Sequence, residues 1–143
     1  MIHDQVVGDR ILLTDENGNP VVVQEKETCK IQCQLKHGTT NITLSQLASL
    51  KLYLYNSADK KKINFVDGTN ILNTDRGTVS STGLVTIRLL VADNPIVGTS
   101  VAELGLEQHI ARLEWTWNDG VSTQTGVQEL EFTIEKKAVL VDP

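Results

Sequence analysis

Cys29, Cys33 and His37 form a C-x3-C-x3-H run, the densest group of metal-ligand types in the chain. Thiolates and imidazole suit zinc. On a helix this spacing would put all three on one face. Here Cys29, Ile31, Cys33 and Leu35 alternate with Lys30, Gln32 and Gln34, which is the period of a strand. A strand spreads the two sulfurs to roughly 13 Å at ~3.3 Å per residue. That is too far for one metal, and beyond the ~7 Å Cα limit of a disulfide. The expectation is two reduced thiols buried as core fillers, with no metal and no cofactor. Reduced thiols fit a chain made in a cytoplasm. His3, His37 and His109 include no pair at zinc spacing.

Other chemistry is weaker still. There is no G-x-S-x-G elbow, and Ser100 lies in a loop with no required neighbour. Neither a phosphate-binding Walker run nor a dinucleotide G-x-G-x-x-G is present. The acidic turn Asp15–Pro20 offers oxygen ligands, but not at the spacing of a calcium loop. Asn41-Ile42-Thr43 fits a glycosylation acceptor, which the reduced thiols argue against. Glu114, Glu129, Glu131 and Glu135 project outward from a sheet rather than into a cleft, and read as a solvated ladder guarding an edge. Tyr53 and Tyr55 are candidates for an exposed aromatic contact. Trp115 and Trp117 share a face with Leu113 and read as core. No enzyme is indicated.

Composition narrows the partners. The chain has 143 residues, enough for one domain with a real core. Its net charge of −5 argues against a nucleic-acid groove. The basic run Lys60-Lys61-Lys62 beside Asp59 reads as a solvated turn. No apolar run approaches the ~18 residues of a membrane span, and the start MIHDQVVGDR does not resemble a secretory signal.

The elements that must position these residues centre on Glu107–Lys136. Ala111, Leu113, Trp115 and Trp117 alternate with polar residues, then Asn118-Asp119-Gly120 turns the chain, and Leu130, Phe132 and Ile134 alternate again. Period two on both arms predicts a hairpin with one apolar face. Upstream strands are predicted over Thr28–Lys36, Ser49–Asn56 and Leu84–Leu90, with shorter extended runs at Lys62–Asp67 and after Arg76. Thr43–Leu47 suggests one helical turn. The connection Ile96–Gln108 is the longest between strands and reads either as a contact-making loop or as an insertion over one end. About seven strands with regular turn signals predict an all-β, antiparallel immunoglobulin-like β-sandwich; a closed barrel is the alternative.

Leu50-Lys51-Leu52-Tyr53-Leu54, Gly83–Asp93, Ala111-Arg112-Leu113-Glu114-Trp115, Asp119-Gly120 and Glu131-Phe132-Thr133-Ile134 carry a resemblance. Together, Leu47–Tyr55 and Gly83–Lys136 resemble immunoglobulin-like domains of tailed-phage virion proteins: baseplate-upper-protein N-terminal domains and small head–tail or fibre-associated proteins. The chain departs from that pattern by its Ile96–Gln108 connection and its N-terminal hairpin. The resemblance implies a non-enzymatic virion subunit (capsid decoration, neck, baseplate or fibre attachment). Assembled in the host cytoplasm, it would contact other virion proteins and its own copies. The alternative is a carbohydrate- or cell-surface-binding module that uses Tyr53, Tyr55 and the 96–108 loop.

Residues 1–24 are expected to form an arm separate from a sandwich domain of residues 25–143. Arg10–Thr14 and Val21–Gln24 flank an Asn-Gly turn and read as a projecting hairpin. An isolated two-stranded hairpin is marginal in water. Ile11, Leu12, Leu13, Val21, Val22 and Val23 therefore need a surface to bury against, and a neighbouring subunit is the expected one.

Overall fold

The computed structural model describes residues 10–14, 17–98, 101–102 and 104–138. His3 and the rest of residues 1–9, Asp15 and Glu16 of the acidic turn, Ser100 and the tail from 139 lie outside the described residues. The fold is all-β, with eleven strands and two short 3-10 turns among the described residues.

The predicted hairpin is its spine. β10 (Leu106–Asn118) and β11 (Thr123–Glu135) pair antiparallel along their whole length, from Leu106↔Glu135 to Asn118↔Thr123. The turn forms because its own side chains replace the missing ladder. Asn118 Oδ1 accepts the Gly120 N–H at 2.7 Å, and Asp119 Oδ1 accepts those of Val121 and Ser122 at 2.8 and 2.9 Å. β6 (Leu47–Asn56) pairs antiparallel with β10, and β7 (Lys62–Asn70) with β6. β1 (Arg10–Leu12) and β2 (Val22–Gln24) complete this six-stranded sheet on the far side of β11.

The second sheet holds β3 (Cys29–Gln34), β9 (Leu84–Leu89) and β8 (Gly77–Val79), in that order. β4 (Lys36–His37) and β5 (Thr40–Asn41) form a separate small hairpin. The predicted helical turn is a 3-10 turn at Leu44–Gln46. Leu52, Leu113 and Phe132 from the large sheet and Ile31, Cys33 and Ile87 from the small one belong to a single buried cluster. The sheets stay separate and close no barrel.

Two features fix the small sheet against its surroundings. Gly83, at the β8–β9 turn, has φ +88°, and a Cβ there would stand 1.9 Å from the Ile42 carbonyl oxygen. Only glycine fits both the dihedral and the approach. Asp93, in the 3-10 turn Val91–Asp93, is fully buried. It accepts bonds from Arg76 at 2.5 Å, from the Leu90 N–H at 2.7 Å and from Asn64 at 2.8 Å.

The arm expectation needs correction for residues 10–24. β1 and β2 do not pair with each other as a projecting hairpin. Both run parallel to β11, with Ile11↔Leu130 and Val23↔Ile134. They are two halves of one edge strand, interrupted by an excursion closed at Thr14↔Pro20. Short arms gain more by covering the β11 edge than by pairing with each other. Leu13 and Val23 are buried in the molecule's own core, so this segment belongs to it. The strand count also exceeds the expected seven, because several strands are only two or three residues long. The 96–108 connection is shorter than expected, since Leu106–Gln108 already belongs to β10, and no helix forms among its described residues.

Candidate functional site

The register of the large sheet decides which candidate residues meet. Leu12 stands opposite Glu131, Glu131 opposite Ile110, and Ile110 opposite Tyr55. One row further, Glu129, Arg112, Tyr53 and Asp67 are in register, and Val22 stands opposite Thr133. Directly opposite residues share a face. Leu12, Val22, Tyr53 and Tyr55 therefore lie on the outer face of the large sheet. Ile11, Leu13, Val21 and Val23 lie on the opposite side: Leu13 and Val23 are buried, and Ile11 and Val21 pack against the core. The alternation of the two short strands splits the six proposed arm contacts into two outward and four inward residues.

On that outer face Tyr53 and Tyr55 are half-buried within a charged network. The Tyr55 hydroxyl donates to Glu129. Arg112 reaches Glu114 at 2.8 Å and Glu129 at 3.3 Å. The Lys60 ammonium sits 5.5 Å from the Tyr55 ring centre, and Lys62 pairs with Asp67 at 2.6 Å. The hydrogen bond with Glu114, then burial, raises the Tyr53 hydroxyl above its ordinary pKa. Burial works to lower Arg112, but its bonds to Glu114 and Glu129 outweigh it and raise the guanidinium. Between the tyrosines, Lys60, Lys62 and Arg112 lies an open hollow of about 200 Å³. It can seat a small polar group against aromatic surface.

The carboxylates are not the solvated ladder that alternation suggests. Glu129 is buried and holds Tyr55 and Arg112, and Glu135 accepts Gln24 Nε2 at 2.6 Å. Here β1 and β2 cover β11, so this stretch is not an edge.

A second polar cluster escaped the sequence reading. Glu107 and His109 share the inward register of Ala111 and Leu113, and both are buried. Glu107 accepts the Val97 and Gly98 N–H groups at 2.8 and 2.7 Å, and lies 2.6 Å from His109 Nε2. A carboxylate only accepts, so Nε2 carries the proton of the neutral ring. His109 Nδ1 is buried with no partner among the described residues, so a second proton there would find no acceptor. Burial lowers the His109 pKa, against the pull of Glu107. Burial alone would raise Glu107, but the bonds from His109, Val97 and Gly98 hold it below its ordinary value. The pair pins the start of the long connection. The available signal was two polar residues in phase with a hydrophobic strand.

Neither cysteine forms a disulfide; Cys33 is buried as expected and Cys29 only half-buried. Burial pushes the Cys29 thiol up to about 11, partly offset by Asn94. His37 does not join the cysteines but contacts Trp117, with ring centres 5.5 Å apart. Among the described residues no three His, Cys, Asp or Glu side chains are grouped to hold a metal. Among them, too, no helix is long and apolar enough to cross a membrane. Neither a protein-family model nor a curated protein matches the chain.

Proposed function

We propose that this chain is a non-enzymatic subunit of a phage virion, an immunoglobulin-like domain that works by protein–protein contact. The observation that carries this reading is the outer face of the large sheet. Leu12 and Val22 are 42% and 48% exposed on the same face as the half-buried tyrosines and their charged network, with two strands between them and the tyrosines. Apolar and aromatic surface interleaved with satisfied charge is the make-up of a contact surface.

Strand order supports the immunoglobulin-like assignment. That fold places strands C, F and G in one sheet and B, E and D in the other. Here β6, β10 and β11 are neighbours in one sheet, and β3, β9 and β8 in the other. The resemblance of Leu47–Tyr55 and Gly83–Lys136 to virion domains supports the virion assignment. Other virion proteins and further copies of the chain are the partners, with no nucleic acid or membrane involved.

Mass spectrometry of purified particles from a producing host tests the reading. The chain is expected in the particle, and L12E combined with Y53A is expected to remove it while circular dichroism stays native. Particles that lack the wild-type chain overturn the assignment.

The hollow between Tyr53 and Tyr55 favours a second reading, a saccharide-binding module. A glycan array with wild-type and Y55A protein separates the two: binding by wild type alone selects the module.

A further inference from the structure

β1 and β2 cover the β11 edge only from Glu129 to Glu135. Among the described residues no strand pairs with that edge from Thr123 to Val127. Its backbone orientation is set by what happens further along. Glu131 accepts the Leu13 N–H at 2.8 Å, Thr133 donates to Val21 at 3.1 Å, and Glu135 accepts the Glu25 N–H at 2.8 Å. Backbone groups of alternate residues face opposite edges. Thr123, Thr125 and Val127 therefore turn N–H and C=O to the open edge, while Gln124, Gly126 and Gln128 turn theirs to β10.

An independent observation lies at the same edge. Trp115 is 2% exposed, and its Nε1 has no hydrogen-bond partner among the described residues. The indole lies over Gly126, where a Cβ would stand 2.6 Å from Nε1. Burying an indole N–H unsatisfied is costly, and Gly126 places no side chain between this one and the β11 edge, in a small hollow walled also by His37 and Ile42. Gln124 stands opposite Trp117 and Gly126 opposite Trp115, so Gln124 shares the inner face.

The stretch Thr123–Gln128 carries no charge and no proline. The opposite edge, β7, is guarded by the Lys62–Asp67 pair and by register shifts. A two-fold interface sets a surface against itself, so a charged edge would repel its own copy and this one does not.

We propose that two copies of the chain pair antiparallel along this edge, about a two-fold axis at Thr125. That register sets Thr125 against Thr125, Thr123 against Val127, and Gln124 against Gly126. All outward backbone groups then meet outward groups. The carboxamide oxygen of Gln124 from one copy reaches the bare surface over Gly126 and accepts the Trp115 N–H of the other. The start of β1 at Glu129 ends the pairing. So short a contact falls below the ~1,000 Å² of a stable interface, so the dimer dissociates on dilution and gains strength when copies are held together. The pairing rests on the reading of the chain as a self-associating subunit. It is tested on the isolated full chain, so its failure leaves the outer-face contacts to their own assay.

Sedimentation equilibrium over a wide concentration range is expected to show a reversible monomer–dimer equilibrium. Thr125→Lys puts two like charges on the axis and is expected to abolish the dimer with circular dichroism unchanged. Thr125→Glu alone is expected to do the same. Mixing the two variants is expected to restore a heterodimer, which only an axis at this residue predicts. A wild-type chain monomeric throughout overturns the proposal, as does a dimer that survives T125K. Hydrogen exchange adds a further check. Slow exchange at Thr125 and Val127 in the dilute monomer means the edge is already occupied within the chain, and this too overturns it.

Discussion

Glu107 and His109 tie the chain's stability to pH. Both have folded-state pKa values below their ordinary ones. The unfolded chain therefore binds more protons in the window between the two states, and stability falls with acid. The His109 contribution is complete above its ordinary 6.5 and is lost as pH falls through the lowered folded value. The Glu107 contribution is complete above 4.5 and is lost below it in the same way. Denaturant midpoints are expected to hold near neutrality and to drop in those two ranges, with His109→Phe flattening the upper one. A midpoint rising on acidification from pH 7 to 5 would contradict the assignment of the neutral ring. Asp93 makes a second residue-scale case. Removing it strands the Arg76 guanidinium, the Leu90 N–H and the Asn64 amide together. Breaking a buried pair costs about 3–5 kcal/mol. Asp93→Ala is expected to lose that much in urea unfolding, while a loss under ~1 kcal/mol would show that water replaces the carboxylate.

Elements depend on how their faces are filled. Phe132 is fully buried on β11, between the two sheets. Phe132→Ala is expected to cost about 3–5 kcal/mol through the cavity it leaves, read from the denaturant midpoint at unchanged slope. Gly83→Ala tests a turn rather than a face. The added Cβ meets the Ile42 carbonyl, so the β8–β9 turn must move away from the β5–β6 connection. A lowered melting temperature is expected, and a stabilised Gly83→Ala protein would refute the close approach. Legibility followed the same division. The β10–β11 hairpin was readable because thirteen-residue strands repeat their alternation many times. β6 and β9 were readable for the same reason, and Tyr53 and Tyr55 could be assigned to one face. β1 and β2 hold three residues each, enough to suggest strands but not to name a partner. Their pairing with β11 is a long-range choice that local pattern does not encode. The site was half legible for a related reason. Alternation put Arg112 and Glu114 outward, but their meeting with Tyr53 and Glu129 depends on the register between three strands.

At the scale of the whole molecule the decisive question is what residues 10–24 do for the rest. If they were an appendage, the remaining strands would supply two complete sheets without them. The structure gives them two tasks inside the fold. Leu13 and Val23 are 3% and 6% exposed, and burying two such side chains stabilises by roughly 3–6 kcal/mol. That is a large part of the ~5–15 kcal/mol by which a domain is stable. The second task is to cover β11. Without β1 and β2 the part of β11 that no described strand covers on that side would lengthen from Thr123–Val127 to the whole of Thr123–Glu135. A long bare edge beside newly exposed core is an aggregation site. Deleting residues 1–24 is therefore expected to give a chain that aggregates or melts well below the full-length protein, by circular dichroism and light scattering. Deleting residues 14–20 and closing the gap with two glycines is the milder comparison. It keeps both half-strands on β11 and is expected to leave a folded molecule. A stable, monomeric chain starting at residue 25 would mean that β1 and β2 are dispensable, and would return that segment to the role of a connector between subunits.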